Sequence, residues 1–204
     1  MGQYLTIHPV NPQKRLLEQS AALLQEGGIV VYPTDTNYGL GCGIGNRHGV
    51  ERIMQIKQLP ASHQLSILCA DLSLISRYAR VDNQTYRLLK RYLPGPYTFV
   101  LHATREVPKT ILPKRQTIGL RIPDHPICLG LLKEFGEPIL STSVRLPGQD
   151  ILADPSLIRE QLENRVDLII DGGILPTKPS TIVDLTGDTP QVLRVGAGDP
   201  TVFG

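Results

Sequence analysis

Between the apolar run Ile29-Val30-Val31-Tyr32 and a helical pattern beginning near Val50, glycine takes every second position: Gly39, Gly41, Gly43 and Gly45. No other stretch constrains the fold of this chain as strongly. The β-branched run ahead of it reads as a buried strand. Val50, Ile53, Met54 and Lys57 mark a helix after it. The segment between them, T-D-T-N-Y-G-L-G-C-G-I-G from Thr34 to Gly45, reads as a glycine-dense loop. Glycine lets a backbone approach a ligand closely and take positive φ, and a loop from strand to helix can turn its N–H groups on an anion. The alternative is a twisted glycine-rich strand needed for tight packing. No G-K-[S/T] follows, so this is not a P-loop, and G-x-G-x-x-G fails at Ile44 or Asn46. The polar residues ahead of the glycines, Thr34, Asp35, Thr36, Asn37 and Tyr38, are more informative, because loops on a rigid scaffold often carry function.

The remaining chain alternates in the same way. Helical spacing runs over Gln13 to Glu26, Asp71 to Tyr78, Asn83 to Tyr92, Asp124 to Phe135 and Pro155 to Leu162. Apolar runs predict strands at Leu65–Ala70, Tyr97–His102, Thr117–Ile122, Pro138–Thr142, Val166–Asp171, Ser180–Leu185 and Gln191–Val195. Early alternation followed by clustered strands predicts a single α/β domain over residues 1–204, with a twisted mixed parallel/antiparallel sheet flanked by helices. At 204 residues the chain can bury a full core without disulfides or metals.

Composition narrows the function classes. Apolar residues are 41% and charged residues 20%, which fits a soluble globular chain, and no apolar run nears the ~20 residues of a membrane span. Met1 to Lys14 is polar and lacks a signal-peptide core. Cys42, Cys69 and Cys128 form no C-x-x-C pair, which disfavours a disulfide framework and points to a reducing cytoplasm. Arg77 to Arg121 holds ten basic residues, Lys114 and Arg115 among them, against Asp82 and Glu106, a local charge of +8 in a chain of +2. Within it Arg87, Lys90 and Arg91 share one predicted helix. Such a segment is the footprint of a polyanion partner or simply a solvated basic face.

Other patterns are weaker. Ser141-Thr142-Ser143-Val144-Arg145 places hydroxyls and a guanidinium just past the apolar strand at Leu140, a reasonable phosphate cradle or an ordinary turn. Pro179-Ser180-Thr181 reads as the start of a strand. The five histidines form no metal-binding spacing, so no protein-built metal site is expected. There is no G-x-S-x-G. Cys42 reads as a small buried residue rather than a nucleophile.

Taken together, Y-P-T-D-T-N-Y-G-L-G-C at Tyr32, K-Q-L-P at Lys57, P-G-P-Y-T at Pro94, R-I-P-D-H-P at Arg121, S-T-S at Ser141, P-S-T-I-V-D at Pro179 and L-R-V-G at Leu193 resemble the YrdC-like family of threonylcarbamoyl-AMP synthases, most closely its YciO subgroup. The resemblance implies a concave basic surface, binding of ATP with Mg2+, threonine and bicarbonate, and formation of threonylcarbamoyl-AMP and pyrophosphate for modification of tRNA adenosine 37. It also implies binding of double-stranded RNA. By resemblance, Lys57, Thr117, Ser143 and Arg194 contact the nucleotide, and Thr36, Arg121, Ser141 and Ser180 form the threonine pocket.

The chain departs from the family where K-x-R and S-x-N are usual. Leu59 replaces the arginine and Arg145 replaces the asparagine; Leu68 and His63 also differ from many members. One expectation is that Arg145 takes over a phosphate contact from the wall opposite Leu59. Two readings follow: a nucleotide- and RNA-binding protein with weak or altered synthase activity, and a non-catalytic module for double-stranded RNA or tRNA.

Overall fold

A ten-stranded mixed sheet organises the computed structural model, which describes residues 2–60, 63–109, 111 and 116–203. In chain order the strands are β1 (Gln3–Thr6), β2 (Val30–Pro33), β3 (Tyr38–Gly43), β4 (Ser66–Leu68), β5 (Tyr97–His102), β6 (Thr117–Arg121), β7 (Ile139–Ser143), β8 (Leu168–Asp171), β9 (Thr181–Asp184) and β10 (Gln191–Arg194). In space they run β1-β8-β2-β3-β7-β4-β6-β5-β9-β10. The β1/β8, β2/β8, β4/β6 and β5/β9 pairs are parallel and the others antiparallel. The helices are α1 (Lys14–Gln25), α2 (Arg47–Lys57), α3 (Leu72–Tyr78), α4 (Asn83–Tyr92), α5 (Pro126–Phe135) and α6 (Pro155–Leu162).

Successive strand residues face opposite sides, and the two faces are covered unequally. One face sends Val31, Leu40, Ile67, Phe99, Leu120, Ile169 and Val183 into a core closed by Ile53 of α2, Ile75 of α3, Leu89 of α4 and Ile158 of α6. Fully burying a side chain such as Phe99 contributes roughly 1.5–3 kcal/mol. The other face buries Val30, Tyr32, Ile139, Leu168 and Ile170 under Leu17, Ala21 and Leu24 of α1 and Ile127, Leu131 and Leu132 of α5. No residue of β5, β6 or β9 belongs to this second cluster. On that face α1 and α5 stop short, and the adjoining strands carry a polar hollow.

The helix ends follow local chemistry. Asp71 and Asp82 accept from the backbone N–H groups of Leu74 and Thr85, as N-caps do. Asn46 caps α2 by accepting from Gly49 N–H and also donates to the Gly27 carbonyl. Gln58, at φ 51°, ends α2 in the left-handed region.

Three sequence expectations change. The predicted loop from Thr34 to Gly45 is a tight turn followed by β3, all six residues of which are buried. A Cβ on Gly39 would lie 2.7 Å from the Tyr32 ring, one on Gly41 2.5 Å from the Leu140 carbonyl oxygen, and one on Gly43 2.9 Å from the Phe135 ring. The alternation is therefore the period of a strand that must lie flat beneath its neighbours. Ser143 lies inside β7, one residue past the end of the predicted strand, and Ser141 lies at its middle rather than in a turn. The polar-looking N-terminus forms β1, with Gln3 to Thr6 pairing in register with Leu168 to Asp171 and Tyr4 donating to Asp171 at 2.9 Å.

Candidate functional site

Strand register builds the hollow. Gly41 pairs with Ser141 and Gly39 with Ser143 across β3/β7, and Ser141 pairs with Ser66 on β4. Glycines on β3 leave the space above the sheet to larger groups. Tyr32 fills part of it, and its hydroxyl donates to Ser141 Oγ at 2.6 Å. Because Ser141 accepts in that bond, its own hydroxyl proton is available to a further partner.

Arg121 ends β6 in the same hollow and is buried. Its Nε donates to the Gly95 carbonyl at 3.2 Å, Nη1 to Thr36 Oγ1 at 2.8 Å, and Nη2 to Asp35 Oδ1 at 2.6 Å. Thr34 shapes the turn that delivers Asp35 and Thr36. Its Oγ1 donates to the Asn37 carbonyl at 2.6 Å and accepts from the N–H groups of Thr36 and Asn37. Opposite, Thr98 and Ser180 share a hydrogen bond of 2.8 Å between their hydroxyls, and Arg194 donates to the Ser180 carbonyl at 2.8 Å. Lys57, from the last turn of α2, donates to the Ser143 carbonyl, and Asn37 Nδ2 donates to Ser143 Oγ at 3.3 Å.

These groups surround a cavity of about 220 Å³, whose walls include Thr34, Ser66, Thr98, Ser141, Thr142, Ser143 and Ser180 beside Arg121, Arg194 and His63. Among the described residues no carboxylate lines it. Asp35 is the one acid paired with its cations among the described residues, and it lies against Arg121. The cations depress one another. Burial and then the Arg145 guanidinium lower Lys57 to about 8. Burial and then Lys57 lower His63, and burial and then Arg121 lower Arg194. An anion in the cavity would relieve this repulsion.

The sequence-picked residues divide accordingly. Arg121, Ser141, Ser143, Ser180 and Arg194 line the cavity, while Thr36 and Lys57 reach it through Arg121 and Ser143. Thr117 shares the cavity-facing side of β6 but lies beyond the lining residues. Arg145 is exposed, and its Nε donates to the Gln149 carbonyl at 3.1 Å. Leu59 does not border the cavity; it lines an apolar groove of about 740 Å³ with Val50, Met54 and Ile111. The left-handed turn at Gln58 carries it there. Arg145 and Leu59 thus do not face each other across the cavity, and Leu68 and His63 are the departures that line it.

The +8 segment does not form one surface. Arg121 is buried and ion-paired, Arg77 pairs with Glu106 at 3.6 Å, and Lys114 and Arg115 lie outside the described residues. Arg87, Lys90 and Arg91 are exposed on α4, which packs through Leu89 on the sheet face opposite the cavity. Sequence reasoning missed Asp35 as the partner of Arg121, and missed Ser66, Thr98 and Gln64 in the wall. The parity of Ser66 and Thr98 on their strands pointed the right way, but only the register shows which strands adjoin. Cys42 is a buried strand residue whose thiol is pushed up to about 12 by burial, as a packing role requires.

The Sua5/YciO/YrdC family model, described as "Telomere recombination", matches residues 22–196. The chain belongs to this family. It is 50% identical to the YciO protein of Escherichia coli K12 over 205 residues, covering all of both chains, and the crystal structure of E. coli YciO superposes with a TM-score of 0.95. The threonylcarbamoyl-AMP synthase of Vibrio vulnificus is 34% identical over 184 residues, 88% of this chain and 98% of that one. The P. abyssi Sua5 structure complexed with L-threonine is 30% identical, with a TM-score of 0.88 over 95% of this chain and 57% of that one. The YciO and Sua5 structures share this α/β fold over the matched regions. Among the described residues no helix is long and apolar enough to cross a membrane.

Proposed function

We propose that the protein binds ATP and L-threonine in this cavity and is a weak or altered threonylcarbamoyl-AMP synthase of the cytoplasm. The observation that carries the reading is a hydroxyl-walled cavity whose cations, among the described residues, meet no carboxylate except Asp35. The Sua5 relative complexed with L-threonine supports an amino acid as one ligand. In the reaction, the threonine amine adds to the carbon of bicarbonate, and water leaves to give a carbamate. A carbamate oxygen then attacks the α-phosphorus of ATP, and the bond to pyrophosphate breaks. Arg121 pairs with the threonine carboxylate, with Thr36, Ser141 and Ser180 around the amino acid. Lys57, Ser143 and Arg194 face the phosphates, Arg145 stands at their margin, and Thr117 lies toward the nucleoside. The chain's part is to bring the carbamate in line and to balance the triphosphate charge.

Among the described residues no group of three or more His, Cys, Asp or Glu side chains could hold a metal. Mg2+ brought in with ATP would add to Lys57 and Arg194 in offsetting the phosphate charge.

A second reading, an RNA-binding role, is favoured by Arg87, Lys90 and Arg91, which are exposed on α4 and form no salt bridge among the described residues. The partner would be tRNA or double-stranded RNA held through phosphates.

Incubation with ATP, Mg2+, L-threonine and bicarbonate, followed by mass spectrometry, tests the first reading. Threonylcarbamoyl-AMP together with pyrophosphate supports it. Failure to form the product, with no binding of threonine or ATP by calorimetry, rejects it and leaves the RNA-binding module.

A further inference from the structure

We infer that Asp35 is the positioning residue of the cavity, turning the uncommitted N–H groups of Arg121 toward an incoming carboxylate. The inference rests on the reading that the cavity takes an amino acid. A guanidinium carries five N–H donors in one plane. In Arg121 three are engaged: Nε–H by Gly95, one on Nη1 by Thr36 and one on Nη2 by Asp35. One N–H remains on each of Nη1 and Nη2, free to donate to a carboxylate oxygen. Arg121 borders the cavity and Asp35 does not, so Asp35 acts through the guanidinium.

Asp35 is itself held. It belongs to the turn closed by Thr34, whose hydroxyl ties together the backbone of Thr36 and Asn37, and the turn is anchored by the β2/β3 pairing. The Asp35 side chain is nearly as buried as that of Arg121. This places the ion pair where its geometry is fixed rather than averaged by solvent. A carboxylate serving only to balance the buried Arg121 charge would need no particular direction.

Substitutions separate these two roles. Asp35→Asn keeps an Oδ1 acceptor and removes the charge. Asp35→Ala removes both. Asp35→Glu keeps the charge and displaces the acceptor by one methylene, so it remains informative if the alanine variant fails to fold. Positioning predicts that L-threonine affinity, measured by calorimetry, is held or raised in Asp35→Asn and falls by about tenfold or more in Asp35→Ala and Asp35→Glu. Charge balance alone predicts tighter binding in both uncharged variants and no change in Asp35→Glu, and that result overturns the inference.

A second readout needs no ligand. The Nε–Hε resonance of Arg121, assigned by its loss in Arg121→Lys, should persist in Asp35→Asn and shift or broaden in Asp35→Ala and Asp35→Glu. An unchanged resonance in all three variants overturns the inference. Absence of threonine binding by the unmodified protein, with the resonance pattern as expected, instead rejects the proposed ligand and leaves the positioning of Arg121 standing.

Discussion

The Tyr32 hydroxyl donates to Ser141 Oγ at 2.6 Å, joining β2 to β7 across the intervening glycine strand. The bond exists because Gly39 and Gly41 leave the Tyr32 ring lying over β3. It fixes Ser141 as an acceptor on one side and directs its own proton to the other. Tyr32→Phe preserves the ring and removes this donor. Unfolding in urea should show a loss of about 0.5–1.5 kcal/mol at unchanged m-value. L-threonine affinity should fall as Ser141 loses its orientation. Equal affinity in both proteins would detach Ser141 from ligand binding.

Gly41→Ala tests the packing argument for the alternating glycines. The added Cβ would meet the Leu140 carbonyl oxygen at 2.5 Å and Ile139 Cγ2 at 2.6 Å, and the first of these is backbone that cannot swing aside. A cost of about 1–3 kcal/mol or more is expected from overpacking. Gly45→Ala is the control, since its Cβ meets nothing within 4 Å. Chemical denaturation of the two variants should separate them clearly, and similar midpoints would contradict the flat-strand reading.

Lys57 supplies a pH signature. Burial, and secondarily Arg145, lower it from 10.5 to about 8. Between pH 8 and 10.5 the unfolded chain holds a proton that the folded chain has released, so the Lys57 contribution to stability rises with pH there. Below pH 8 the penalty of burying the ammonium is fully present. The stability of Lys57→Met relative to the unmodified protein should therefore be greatest near pH 7 and decline toward pH 10. Arg145→Asn removes the repelling cation and should move the Lys57 midpoint upward. Titration of the Lys57 side chain by NMR reads both effects. An unmoved midpoint in Arg145→Asn would place Arg145 outside the electrostatics of the cavity.

RNA binding through α4 would be electrostatic. Arg87 and Arg91 are one helical turn apart and exposed. Arg87→Ala with Arg91→Ala should weaken binding of a double-stranded RNA and flatten the log–log salt dependence by about 0.7–0.9 for each lost phosphate contact. Filter binding across a range of potassium chloride concentrations measures the slope. A slope identical to that of the unmodified protein removes α4 from any RNA footprint.

Wherever the determinant was local, the sequence sufficed. The leucine spacing of α1 and the β-branched run of β2 each answer to neighbours within a turn or a few residues. Lys57, Arg121, Ser141, Ser143, Ser180 and Arg194 could be named because the short motifs that hold them resemble those of the YrdC-like family. Their meeting could not be, because Ser141, Ser66 and Gly41 are adjacent only through the β3-β7-β4 register. The same holds for the glycines: a loop and a close-packed strand have identical spacing, and only Tyr32, Leu140 and Phe135 overhead decide between them. Asp35 stayed unrecognised as a partner because its ion pair with Arg121 spans 86 positions. The +8 segment shows the reverse limit. Its charge was counted correctly, yet folding buried Arg121, paired Arg77 with Glu106 and set α4 on the far face of the sheet. Net charge is a property of the chain, whereas a charged surface depends on which side of the sheet each strand and helix presents to water.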